Sequence, residues 1–197
     1  MEKLLIGVSG VILGAILTVA REFWNDYRTK KKKAQFLAIR VTTMLDRFVE
    51  GCVSVVSDDG EMYGRDEQGC LRVNSTTPVL NFDSLDVDWQ SLPFDLMYEI
   101  LNFPLGIEEA NGMIGSVCEH VASPPDYEEG FEERHFQYSN LGLQAYELSK
   151  KIRERYGMPK NEFKYWNPID FLEKNKKEID ERRAKREERA AKFYQSA

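Results

Sequence analysis

The sequence predicts an all-α protein. It reads as mainly a helical bundle, with one N-terminal transmembrane helix, a small irregular or short-strand acidic insertion, and a long charged C-terminal helix. Three observations carry that prediction. An uncharged run fills residues 4–20 and gives way to a cluster of basic residues. Apolar residues then recur at three- and four-residue steps over long stretches, the period of an amphipathic helix. Beyond residue 172 acidic and basic residues alternate with few apolar ones between them, the pattern of a solvated helix.

A chain of 197 residues suggests one domain with appendages. With 42% hydrophobic and 30% charged residues, it has enough apolar surface for a modest core and a charged remainder. The formal net charge of −6 hides an asymmetry. Residues 58–133 hold 18 Asp and Glu against two basic residues, Arg65 and Arg72. Cys52, Cys70 and Cys118 are odd in number and lack CxxC spacing, which fits a reducing compartment. The expected organisation is an anchor at 1–27, a basic juxtamembrane segment at 28–35, a helical cytoplasmic domain at 36–157 with an acidic loop region at 58–90, and a linker with a charged helix at 158–197.

The uncharged run from Leu4 to Ala20 is 17 residues long, the lower limit for a spanning helix. Phe23, Trp24 and Tyr27 extend its apolar surface and suit the membrane interface. Arg21, Arg28, Lys30, Lys31, Lys32 and Lys33 all follow the run, whereas Lys3 before it is offset by Glu2. A cleaved signal peptide needs the opposite bias. The expected topology is therefore a single pass with the N-terminus outside and the rest cytoplasmic, which in a bacterium means the inner membrane. Gly10 and Gly14 form GxxxG, and Thr18 continues the small-residue spacing, so this face is the candidate for association between spans. Arg28 and the tetralysine fix topology and offer charge to anionic lipid.

Residues 34–56 read as one amphipathic helix. Phe36, Leu37, Val41, Met44, Leu45, Phe48, Cys52, Val55 and Val56 form its apolar face. The next stretch is acidic and glycine-bearing, hence loop, with "CLRVN" and "PVLNF" as candidate short strands. Helix resumes at Ser91 and is expected to stop at Pro104. A further helical pattern follows and ends before "SPP". The next helix is expected to be capped by Ser123, with Pro124 in its first turn and Asp126 in a capping-box position. Gly157 followed by Pro159 ends it. Within it Phe131, Tyr138, Ala145 and Ile152 repeat every seven residues, with Tyr127, Leu141 and Leu148 on the companion position. Arg134 and Arg155 interrupt the register of a clean coiled coil. Asn167 then caps a last helix with Pro168 first and Asp170 completing a box. Its exposed part is expected to be held by Glu173–Lys177, Glu178–Arg182, Glu181–Lys185 and Glu188–Lys192, and to project as a semi-rigid arm.

Chemistry-bearing patterns are sparse. Glu132-x-x-His135 puts a carboxylate and an imidazole on one helix face, half of what a carboxylate-bridged di-iron bundle needs. Cys118 and His120 would have to join them for a mononuclear site. The opposing reading is an acidic face with two incidental histidines. No EF-hand loop, GxSxG elbow, Walker loop or dinucleotide-binding glycine loop occurs in the sequence. The basic residues of the tail alternate with acids, which argues against a phosphate-binding face. No cofactor and no nucleic acid are expected, and no enzymatic activity.

What remains is a protein-interaction, scaffold or regulatory role for a single-pass membrane protein. Trp89, Tyr127, Glu128 and Glu129 are the candidate partner surface, since acidic residues steer a basic protein and aromatics anchor it. Membrane lipid around the N-terminal helix and a second copy of the chain are the other expected partners. The alternative is a membrane-anchored small-ligand or metal sensor built into the helical bundle.

Overall fold

A computed structural model describes the backbone of residues 2–82 and 84–196, and the side chains of residue 14, 17–82 and 84–193. Four helices follow one another: α1 (Glu2–Val56), α2 (Phe94–His120), α3 (Glu128–Tyr156) and α4 (Pro168–Ser196). A single 3-10 turn at Trp89–Ser91 precedes α2. Helix makes up 71% of the chain, and no strand occurs among the described residues. The helical bundle expected from the sequence is the fold. The two candidate strands are irregular chain instead, because each is a short segment with no neighbouring strand to pair its backbone.

Helix α1 is 55 residues long, about 80 Å at the rise of an α-helix. The predicted span and the first bundle helix are thus one continuous rod. Every described residue from 17 to 33 is exposed, and burial begins at Ala34. Most of the predicted span, Gly10 included, lies outside the described side chains. Among the described residues no helix is long and apolar enough to cross a membrane. At the edge of that run the Thr18 hydroxyl donates to the Gly14 carbonyl at 2.9 Å.

The core sits where α3 meets the second half of α1. Leu37, Val41, Leu45, Phe48, Cys52, Val55 and Val56 are buried on α1, as their spacing predicts. Phe36 is the exception and faces solvent. Tyr138, Leu141, Ala145, Leu148 and Ile152 answer them from α3. Leu80, Phe82 and Leu85 of the irregular insertion close one side, so its apolar residues join the core although its backbone is loop. Gly142 lets three helices meet: a Cβ there would lie 2.6 Å from Leu172 Cδ1 and 3.1 Å from Cys52 Cβ.

Four local expectations are corrected. Pro104 does not end a helix, and α2 runs through it. Leu96 and Ile100 before it and Ile107 and Ala110 beyond it bury on one face. Each large apolar side chain so buried gains about 1.5–3 kcal/mol, which offsets the roughly 3 kcal/mol cost of an interior proline. Ser123 does not cap α3. Residues 123–127 form a turn, with the Tyr127 N–H donating to the Ser123 carbonyl at 3.0 Å, and α3 starts after Tyr127 in a left-handed conformation (φ 51°). The prolines therefore serve the connection rather than the first helical turn. Glu178 turns to Lys174 at 3.9 Å, and Lys176 pairs with Asp180 at 2.6 Å; of the four expected pairs Glu188–Lys192 stands, at 4.0 Å. Finally, the charged part of α4 is not a free arm: Ile169, Leu172 and Ile179 are buried, as their apolar character predicts, but beyond them Arg183 also reaches α3.

Two helix ends match their signals. Gly157 is left-handed (φ 62°), and the Met158 N–H donates to the Arg153 carbonyl at 2.9 Å, a Schellman closure. Asn167 Oδ1 accepts the Ile169 N–H at 3.0 Å while its amide donates to Asp170 at 2.7 Å.

Candidate functional site

The best-organised polar site is buried between the insertion and α3. Asp58 follows α1, and its carboxylate accepts the backbone N–H groups of Gly60 (3.1 Å), Asn74 (2.8 Å) and Ser75 (2.7 Å). The Ser75 hydroxyl donates to it at 2.9 Å and Arg134 of α3 at 3.3 Å. Arg134 also donates to the Ser75 carbonyl at 2.7 Å. Burial pushes the Asp58 carboxyl up, but the donors from Ser75, Asn74 and Gly60 outweigh it and hold it down at about 2. His135 Nε2 donates to the Asp58 carbonyl at 2.8 Å, so its proton is on that nitrogen. Burial lowers the His135 pKa. The donors and acceptors of this node are turned on one another. It clasps the insertion to α3 and offers no free nucleophile.

A second cluster joins α3 to α4. Glu132 is flanked by Arg182 (3.5 Å), Arg183 (3.2 Å) and Arg186, and Glu133 by Arg183 (2.7 Å). The Arg183 guanidinium lies 4.3 Å from the centre of the Phe136 ring. Burial raises the Glu132 pKa, but hydrogen bonds from Arg186 and Arg183 bring it below its ordinary value. A third node, around Asp46, holds the linker: Asp46 accepts from Ser149 (2.8 Å), Arg153 (2.5 Å) and Asn161 (3.0 Å).

The candidate metal residues are not brought together. Glu132 is engaged with arginines and His135 with a main-chain carbonyl. His120 is exposed beside Glu119 at 3.9 Å. Cys118 lies near Gly130, where an added Cβ would be 2.9 Å from its Sγ. Among the described residues no group of three or more His, Cys, Asp or Glu is placed to hold a metal. Adjacent spacing on α3 put Glu132 and His135 on neighbouring positions, but the first looks toward α4 and the second toward the insertion.

The candidate partner residues fall in two places. Trp89 is half-buried, its ring edge-on to Phe82 at 6.0 Å. It belongs to the support of the insertion. Tyr127, half-buried, and the exposed Glu128 and Glu129 stand at the start of α3. Lys33 is tied to Asp88 at 3.1 Å, which braces the segment before α2 against α1. Arg28, Lys30, Lys31 and Lys32 are exposed. A cleft of about 620 Å³ opens beside them, lined by Tyr27, Lys30, Lys31, Pro93, Arg155 and Tyr156 among others. A second, of about 650 Å³, lies between α2 and α3 and includes Tyr98, Leu105, Glu109, Gln144 and Lys151.

Sequence reasoning missed the outer face of α2. Read as two short helices, its residues gave no continuous stripe. As one helix, it sets Phe94, Tyr98, Leu101 and Leu105 along one exposed side. No family model, curated protein or solved structure matches this chain.

Proposed function

We propose that the chain is a single-pass, membrane-anchored protein-interaction, scaffold or regulatory protein whose helical domain lies on the cytoplasmic side. The observation that carries this reading is the stretch of α1 between the uncharged run and the bundle. Phe23, Trp24 and Tyr27 are 75%, 63% and 58% exposed. They lie on the side of α1 that further along carries Ala34, Leu37, Ala38 and Val41 into the core. Three large aromatics thus sit uncovered where an uncharged helix turns basic, the composition of a membrane interface. The charges that follow favour a cytoplasmic domain.

The rise of α1 sets the height of the basic cluster. From Ala20 to Lys30–Lys33 is about 15–20 Å along the axis. Headgroups extend roughly 5–7 Å beyond the hydrocarbon. The lysines then stand about one Debye length outside them, where they set orientation more than they hold lipid. A non-catalytic role is supported by the way the buried Asp58 and the half-buried Asp46 are engaged by donors of the fold itself. The metal-sensor alternative finds its lead residues, Glu132 and His135, already engaged.

The test is topology in cells, with one reporter active only in the cytoplasm and another active only outside, each fused after Ala197. The expected result is a cytoplasmic signal in the membrane fraction that resists alkaline extraction. A signal outside, or a chain released by washing, would sink this reading.

A further inference from the structure

Helix α2 carries an apolar line that nothing among the described residues covers. Phe94, Tyr98, Leu101 and Leu105 follow at steps of four, three and four, which aligns them on one side of the helix. They are 77%, 61%, 42% and 51% exposed, and the first two rings stack at 6.5 Å. Gly112 continues the line, and a Cβ there would meet nothing within 4 Å. A glycine in mid-helix costs about 0.5–1 kcal/mol relative to alanine. Among the described residues no atom requires one at that position. The line is framed by acids: α2 holds Asp95, Glu99, Glu108, Glu109 and Glu119 and no Lys or Arg, and of these Glu99 is already paired with Lys151 of α3 at 2.5 Å.

A face of opposite character stands on α1. Phe36 and Ile39 are 55% and 52% exposed, turned away from Val41 and Leu45. Lys32, Arg40 and Arg47 share their side of the helix, and the Arg40 guanidinium is 6.0 Å from the Phe36 ring centre. Among the described residues no ion pair engages Lys32, Arg40 or Arg47. The two faces are of comparable length: Phe94 to Leu105 is about 16 Å and Lys32 to Arg47 about 22 Å.

We propose that the Phe94–Tyr98–Leu101–Leu105 face of α2 docks on the Phe36–Ile39 face of α1 in a second copy of this chain. The match of an acidic apolar helix with a basic apolar one is what selects the second copy, since like-charged pairing of α2 with α2 is repulsive. The contact is head-to-tail, so a docked pair keeps one unused face of each kind and the association propagates into a ring or a row. This deepens the anchored interaction reading, on which it rests, by naming the partner. Anchored copies share one orientation, and the assembly grows in the membrane plane.

The test uses the full chain in detergent micelles, with two surface variants whose fold is checked by thermal melting. Leu101→Lys with Leu105→Lys blocks the α2 face, and Phe36→Glu with Ile39→Glu blocks the α1 face. Energy transfer is measured between donor- and acceptor-labelled copies. Wild type mixed with wild type is expected to transfer. Each variant mixed with itself should lose at least about tenfold in affinity. The two variants mixed together should recover transfer, because one supplies an intact α1 face and the other an intact α2 face. Association through Gly10 and Gly14 would give the same transfer in all mixtures. Equal transfer everywhere, or no recovery in the mixed pair, overturns the docking. A chain that fails here but remains in the membrane fraction with a cytoplasmic reporter leaves the anchored reading standing.

Discussion

Arg134 and Asp58, 76 residues apart in sequence, meet at 3.3 Å inside the fold with side chains only 6% and 4% exposed. Burying both charges is costly, and their attraction offsets that cost only because other groups complete their hydrogen bonding. Three backbone N–H groups and the Ser75 hydroxyl do so for Asp58. The Ser75 carbonyl does so for Arg134. The pair therefore specifies where the insertion sits more than it adds net stability. It fixes an otherwise irregular segment against α3.

Changing Asp58→Asn should destabilise the domain by about 3–5 kcal/mol, since Arg134 would be left buried without its counter-charge. Chemical denaturation of the full chain measures this. The pH dependence carries a sign. Asp58 titrates at about 2 in the fold, against about 3.9 in an unfolded chain. Its contribution, on the order of 2 kcal/mol, is complete above about pH 4 and is lost as pH falls toward 2. The Asn variant should lack that part of the acid slope. An unchanged slope in the variant would remove Asp58 as its source.

His135 acts over a different window. Burial lowers its pKa, with Arg134 adding to the effect and the Asp58 carbonyl opposing it. The unfolded side chain takes its proton near pH 6.5, the folded one at a lower pH. Its contribution is complete above about 6.5 and shrinks as pH falls through the folded value. A proton-NMR titration should place the His135 midpoint below 6.5. A midpoint at or above that value would contradict a half-buried neutral imidazole donating to the Asp58 carbonyl.

These features divide by range. The apolar face of α1 from Leu37 to Val56 was legible because helical periodicity is local. So were the seven-residue repeat of α3 from Tyr138 to Ile152 and the ends at Gly157 and Asn167. By spacing alone Arg134 interrupts the α3 register; it sits in that register, buried, because Asp58 arrives from a distant segment. Pro104 signals a stop in the sequence because its cost is local, whereas Ile107 and Ala110 act through packing on another helix. The α4 cluster looks self-paired in the sequence because four-residue spacing shows only partners on the same helix. Glu132, the partner that holds Arg183 and Arg186, is about 50 residues upstream.

Two glycine-to-alanine changes should have opposite signs. At Gly142 a Cβ would overlap Leu172 Cδ1 at 2.6 Å with Cys52 close behind. Overpacking of this kind costs about 1–3 kcal/mol, more than the gain in helix propensity returns. At Gly106 the added Cβ meets nothing within 4 Å, so Gly106→Ala should stabilise by roughly 0.5–1 kcal/mol. Thermal melts of the two variants make the comparison. A stabilising Gly142→Ala would show that α4 does not seat Leu172 there.

Arg183→Ala tests how α4 is held. The side chain is 30% exposed, bonded to Glu133 at 2.7 Å and placed over Phe136. Discounted for partial solvent screening, its removal should cost about 1–2 kcal/mol. The loss should be local. Amide exchange from Ile179 onward should speed up while α1 and α3 keep their protection. High salt should reproduce part of the effect in the wild-type chain. Uniform acceleration across all helices would instead mean that α4 opens only with the whole domain.

Cys52 offers a direct reading of that global opening. The thiol is fully buried behind Gly142 and Leu172, and burial pushes its pKa well above the ordinary thiol range. Only the thiolate reacts with a disulfide reagent, so a thiol both shielded and protonated is inert in the fold. Cys118 is exposed and Cys70 half-buried. In native buffer two thiols should therefore titrate promptly, and the third only with denaturant. Replacing Cys70 and Cys118 by serine leaves Cys52 alone, and its slow labelling then reports the population of the open state. Its rate should rise in Gly142→Ala and Asp58→Asn by about tenfold for each 1.4 kcal/mol of stability lost. Prompt labelling of Cys52 in the unperturbed chain would show that α1, α3 and α4 separate far more readily than their packing implies.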